Sequence, residues 1–179
     1  MKSTLTALAA AAVVATPAFA ALKAGDKAPD FTAPGFQAGK ALTFSLAEAR
    51  KKGPVVLYFF PAADTAGCNL EAKMFADAMP QFAANGATVI GVTAGKLDKL
   101  QQISADADKC SGKFPVAADP GAKIARQYDA VLAARPDWSD RTSYVISPKG
   151  DVLHTYSKLD PSEHVAQTLG AVRAFKTKR

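Results

Sequence analysis

The 179-residue chain has little cysteine, histidine or tryptophan: two, two and one residues. Beyond its first twenty residues it has no apolar run long enough to cross a bilayer. The two cysteines, Cys68 and Cys110, lie 42 positions apart, which excludes a disulfide-dense scaffold and a C-x-x-C redox site. A structural disulfide, a redox-active couple and two free thiols stay open for them. Together with His154 and His164 they show no metal-ligand spacing, so no zinc is expected, and the histidines read as ordinary surface or helix residues. Lys and Arg exceed Asp and Glu by 22 to 16, for a net charge of +6. These cations are scattered except in the Lys176-Thr177-Lys178-Arg179 tail, which reads as a solvated end. Neither nucleic acid nor a membrane surface is therefore an expected partner. Gly95-Lys96 lacks the other glycine and the following Ser or Thr of a phosphate loop, and no cofactor is expected.

The first twenty residues read as a signal for export. Lys2 gives a positive start, Leu5 to Ala15 is a short apolar segment, and Ala18-Phe19-Ala20 is a small-x-small cleavage site. The apolar segment falls short of the roughly 20 residues a membrane span needs, which favours a cleaved leader over an anchor. Cleavage after Ala20 would leave residues 21–179 as one domain, secreted or, in a bacterium, periplasmic. No repeat and no second domain is visible.

The rest of the chain is organised around one stretch. Val55-Val56-Leu57-Tyr58-Phe59-Phe60, ended by Pro61, reads as a buried central strand. Leu70, Met74, Ala78 and Phe82 then recur every four residues and predict a helix with that apolar face, kinked or broken at Pro80. Cys68 falls at the helix entrance, where unpaired N–H groups and the positive end of the dipole favour a thiolate. Thr88-Val89-Ile90-Gly91-Val92 is the next strand, in a parallel βαβ unit. A helix is expected over about Leu97 to Asp108, and another after Pro120 with Ile124 and Tyr128 inward.

On either side of this unit the signals are plainer. Leu42 to Leu46 suggests a half-buried strand with Ser45 capping a short helix, and Ala21 to Asp30 an irregular entry punctuated by Phe31 and Phe36, which pack onto the body. Ala133 to Asp140 reads as a loop. Ser143 to Ile146 and Val152 to Tyr156 flank a hairpin signal, and Asp160-Pro161 opens a last helix striped with Val165, Leu169, Val172 and Phe175. Parallel βαβ, then a hairpin and a closing helix, is an α/β layout: a thioredoxin-like three-layer sandwich with a mixed central sheet.

Pro61, Thr65 and Cys68 match P-x-x-x-T-x-x-C, and this stretch resembles the signature around the peroxide-attacking cysteine of peroxiredoxins. Tyr58-Phe59-Phe60-Pro61, and Glu71 three residues after Cys68, look like the bacterioferritin-comigratory-protein branch. Ala28-Pro29-Asp30-Phe31 resembles the family's entry segment. The resemblance covers most of the chain after residue 21 and implies a thiol-dependent peroxidase that reduces hydrogen peroxide and organic hydroperoxides. In it Cys68 is the nucleophile, passing through a sulfenic acid. Thr65 bonds the peroxide, Pro61 shields the sulfur from water, and Arg141, which opens Arg141-Thr142-Ser143-Tyr144-Val145-Ile146, lies beside the cysteine while Glu71 holds it.

Relatives often carry a resolving cysteine five residues after the first, where this chain has Lys73. Others place it in the next helix. Cys110 lies near the end of that helix or just beyond, and is the candidate resolving cysteine, against a bystander thiol or a permanent bridge. A thioredoxin-like dithiol is the reductant the resemblance implies, for a monomer or homodimer. The competing reading is a thioredoxin-like disulfide-exchange or redox-sensing protein without peroxidase turnover, which would ordinarily want C-x-x-C.

Overall fold

The computed structural model describes residues 21–178. The expected leader and its cleavage site lie outside them. In chain order the elements are β1 (Thr32–Gln37), β2 (Lys40–Ser45), α1 (Leu46–Arg50), β3 (Val55–Phe59), α2 (Ala66–Ala84), β4 (Thr88–Thr93) and α3 (Leu100–Ala105). There follow β5 (Val116–Ala118), α4 (Lys123–Gln127), β6 (Val131–Leu132), β7 (Arg135–Ser139), β8 (Thr142–Ile146), β9 (Val152–Ser157) and α5 (His164–Thr177). Seven strands form one mixed sheet in the order β2-β1-β5-β4-β3-β8-β9. Its β3–β4 and β4–β5 pairs are parallel and the β3–β8 and β8–β9 pairs antiparallel.

Every residue of β3 is buried, and strand alternation sends them to opposite faces. Val55, Leu57 and Phe59 join a core with α1 and α4, whereas Val56, Tyr58 and Phe60 join one with α2, α3 and α5. These are the three layers of a thioredoxin-like α/β sandwich. No helix of the described residues is long and apolar enough to cross a membrane.

Several local expectations are corrected. Leu70 does not face the core: it is 52% exposed, and the buried side of α2 is Cys68, Glu71, Ala72, Phe75, Ala76, Ala78 and Phe82. The four-residue pattern passes over Glu71 because a carboxylate normally marks a wet face. Pro80 does not end α2, which runs on to Ala84. The carbonyl that a proline orphans four residues back, that of Ala76, accepts from Lys113 Nζ at 3.0 Å.

The expected 97–108 helix shrinks to Leu100–Ala105, followed by turns in which Ser111 N donates to the Asp106 carbonyl and Gly112 N to that of Ser104. The expected loop from Ala133 to Asp140 contains β7, an edge ribbon paired with β6, in which the Arg135 guanidinium lies 3.8 Å over the Trp138 ring. Pro34 and Gly35 hide β1 from a strand reading, yet it pairs with β2 along its whole length. Ser45 caps α1 as expected. The N-cap of α4 is Ala122, and the helix's first N–H groups are satisfied by Asp119, whose carboxylate accepts from Ile124 N and Ala125 N.

Candidate active site

The site forms where β3 hands over to α2. Phe60 N donates to the Val92 carbonyl, so the chain stays in register with β4 one residue past β3. Pro61 then turns away. Its carbonyl oxygen lies 2.2 Å from where a Cβ at position 95 would stand, so Gly95 is there for this close approach. Asp64 adopts φ of 60°, the left-handed region, and its carboxylate ties the loop down, accepting from Lys99 Nζ at 2.6 Å and Lys109 Nζ at 3.1 Å. Those bonds hold the Asp64 carboxyl down at about 2.

Thr65 is the N-cap residue of α2, extended at φ −117° and ψ 151°. Its hydroxyl does not cap the helix but donates to the Ala62 carbonyl at 3.3 Å. Cys68 thus sits in the first turn of α2, 5% exposed, with the free N–H end of the helix beneath it.

Arg141 comes from the residue before β8, beside β3 in the sheet. Its backbone N–H donates to Asp140 Oδ1 at 2.7 Å and its Nε to the Leu159 carbonyl at 2.7 Å. Nη1 donates to Glu71 Oε2, and Nη2 reaches Cys68 Sγ at 3.4 Å. Each guanidinium nitrogen therefore has a named task, and the fork is fixed in one plane. Gly67 leaves room for it, since a Cβ there would stand 3.3 Å from Nη2. Glu71 is fully buried. Burial pushes its carboxyl up to about 8, against the pull of the Arg141 charge and hydrogen bond.

Pro61, Thr65, Cys68, Glu71 and Arg141 thus come from β3's end, α2 and the start of β8. Cys110 lies apart from them in sequence but in the same apolar cluster as Cys68. It stands five residues beyond α3, in the turns, fully buried and not bonded to Cys68. Burial pushes its thiol up to about 12. Lys109, its neighbour, pairs with both Asp64 and Asp106. Tyr58 packs among Phe60, Phe75 and Phe114.

Sequence reasoning missed His164. Expected to be an ordinary residue, it is instead fully buried behind Glu71. Nδ1 shares a hydrogen bond with Ser143 Oγ at 2.7 Å, and Nε2 bonds the Lys158 carbonyl at 2.9 Å. The edge of the Tyr156 ring system meets its imidazole at 4.8 Å between centroids. No spacing signal links residue 164 with 71 or 141. The other histidine, His154, is half-buried on β9.

Against known proteins, the AhpC/TSA family model matches residues 24–155. The chain is 31% identical over 158 residues to a chloroplastic peroxiredoxin Q of Populus jackii, covering 88% of this chain and 71% of that one. It is 29% identical to the peroxidoxin BcpB of Mycobacterium tuberculosis, whose crystal structure superposes with a TM-score of 0.74 over 86% of this chain and 97% of that one. AhpC of Mycobacterium bovis, 16% identical, shares the fold with a TM-score of 0.75, covering 89% of this chain and 96% of that one.

Proposed function

Because this chain belongs to the AhpC/TSA family and is a peroxiredoxin of the BCP type, a thiol-dependent peroxidase, we propose that Cys68 is its peroxide-attacking residue. The observation that carries this is the fork of Arg141, with Nη2 at 3.4 Å from Cys68 Sγ and Nη1 on Glu71. The Cys68 thiolate attacks the terminal oxygen of a hydroperoxide. A sulfur–oxygen bond forms, the O–O bond breaks, and the electron pair leaves on the other oxygen, which takes up a proton to depart as water or alcohol. Arg141 steadies the sulfur anion and the charge that develops on the leaving oxygen. Pro61 has no N–H and closes one side of the sulfur from water. Thr65, held over α2 by its bond to the Ala62 carbonyl, offers its hydroxyl to the peroxide.

Cys110 then resolves the sulfenic acid, forming a disulfide with loss of water. Its thiol is pushed up to about 12 while buried, so it reacts only after the turns beyond α3 open and water reaches it. A six-residue helix and short turns make that segment the easier one to unfold. A thioredoxin-like dithiol returns both cysteines to thiols, giving up two electrons and becoming a disulfide itself. The protein acts after export, as residues 21–179, secreted or periplasmic, and as a monomer or homodimer.

The test is peroxide turnover with a dithiol donor for wild type, Cys68→Ser and Cys110→Ser. Both variants lose donor-linked turnover, but Cys110→Ser still forms one sulfenate per chain. Turnover that survives Cys68→Ser overturns the assignment. Cell fractionation and N-terminal sequencing of the mature chain test export and the cleavage after Ala20.

A further inference from the structure

Glu71 has two oxygens and one account. Oε2 accepts from Arg141, while Oε1, fully buried, has no hydrogen-bond partner. A buried carboxylate oxygen without a donor is costly, and native proteins rarely leave one. The polar atom facing it is His164 Nδ1, at 3.6 Å, about half an ångström beyond a hydrogen bond. Resting on the proposal above, we propose that His164 is a positioning residue for the peroxidase reaction: it shares a single proton with Glu71, carried on Oε1 or Nδ1, and so leaves the charge of Arg141 to Cys68.

The geometry around the imidazole fixes how that proton is held. The Lys158 carbonyl can only accept, so Nε2 carries a hydrogen in every state. Nδ1 is the atom whose occupancy changes. With the proton on Oε1, Nδ1 presents a lone pair to it. With the proton on Nδ1, the ring donates toward Ser143 Oγ and Oε1. The Ser143 hydroxyl rotates and can serve as donor or acceptor at Nδ1. In both forms the Glu71–His164 pair is neutral overall.

The consequence lies on Arg141. A Glu71 carboxylate without that proton would cancel the guanidinium charge and leave Cys68 Sγ beside a neutral ion pair. Holding one proton in the pair keeps a net positive charge at the fork. The same short connection after β9 anchors both partners, since the carbonyl of Lys158 takes His164 and that of Leu159 takes Arg141. The other titratable or charged groups that bear on the imidazole are Tyr156 from β9, Arg141 and Asp140 from the approach to β8, and Asp160 from the connection to α5. Burial lowers the proton affinity of His164 and raises that of Glu71, which leaves a site with room for one proton but not two.

The direct test is nitrogen and carbon NMR on reduced wild type with labelled His and Glu, scanned over pH. His164 Nδ1 and the Glu71 carboxyl move together in one shared step, and Glu71→Gln displaces the His164 step by about one pH unit or more. Two independent steps, or a His164 titration unmoved by Glu71→Gln, overturn the proposal. This measurement needs no folded His164 variant.

The functional test is the second-order rate of sulfenate formation at Cys68 with hydrogen peroxide. His164→Phe reacts about tenfold more slowly at neutral pH, and its rate profile loses the step seen by NMR in wild type. An unchanged rate and profile refute a positioning role. A slower but parallel profile marks His164 as packing alone and also refutes it. Wild type that forms no sulfenate at all defeats the functional proposal instead, while the NMR scan still decides the shared proton.

Discussion

Replacing Glu71 by Gln separates the charge of this residue from its size. Gln keeps the volume and an acceptor oxygen for Arg141 Nη1 but cannot ionise. In the folded protein burial pushes the Glu71 carboxyl from 4.5 up to about 8. A group whose folded value is raised contributes stability that is complete below the unfolded value and disappears as pH climbs through the folded one. At about 1.4 kcal/mol per unit, wild type loses roughly 4–5 kcal/mol from this residue between pH 4 and pH 9. Glu71→Gln loses none of it.

Chemical denaturation of residues 21–179 of both proteins, at matched ionic strength across that range, makes the comparison. Their other titrating residues are the same, so the difference between the two curves reports Glu71 together with the His164 step coupled to it. Near pH 4 the two differ by about 1 kcal/mol or less, and by pH 9 the variant has gained several kcal/mol on wild type. Parallel curves would show that Glu71 has an ordinary proton affinity. A variant that loses ground as pH rises would show a carboxylate stabilised by Arg141, and either result refutes the reasoning.

Three further outcomes follow from the contacts. Lys113→Met strips the Ala76 carbonyl of its donor and costs about 1–3 kcal/mol; in a Pro80→Ala background, where the helix bond can re-form, denaturation shows most of that cost gone. Iodoacetamide at pH 8 labels Cys68 but not Cys110 in the reduced folded protein, as read by peptide mass, because Cys110 is fully buried and its thiol is pushed up to about 12; equal labelling would show that the turns after α3 are open in the resting state. Arg141→Lys cannot hold Cys68, Glu71 and the Leu159 carbonyl at once, and stopped-flow rates with hydrogen peroxide fall about tenfold to a hundredfold.

The central strand, the βαβ unit and the hairpin were legible because β3, β4, β8 and β9 are compact apolar segments bounded by proline, glycine or turn residues. The placement of Pro61, Thr65 and Cys68 together was legible because they are local to one strand-to-helix junction. What the sequence hid is set by long-range partners. The helix period passed over Glu71, so its burial was hidden even though its pairing with Arg141, 70 residues on, was expected. Pro80 reads as a break until Lys113, from beyond α3, satisfies Ala76. His164 gives no local sign of its task, because Ser143, Glu71 and the Lys158 carbonyl meet it only in the folded chain. The secondary structure of α3 and β7 was misjudged for a local reason: the apolar period that includes Leu97 begins before the start of one, and Pro136 concealed the other.

The most direct test of the central claim follows a single oxygen atom. Reduced Cys110→Ser is mixed with one equivalent of hydrogen peroxide, and intact and peptide masses are read within the first turnover. One oxygen is gained per chain, all of it on Cys68, with one peroxide consumed. Peroxide left unconsumed, or oxygen found elsewhere while Cys68 stays a thiol, would contradict it.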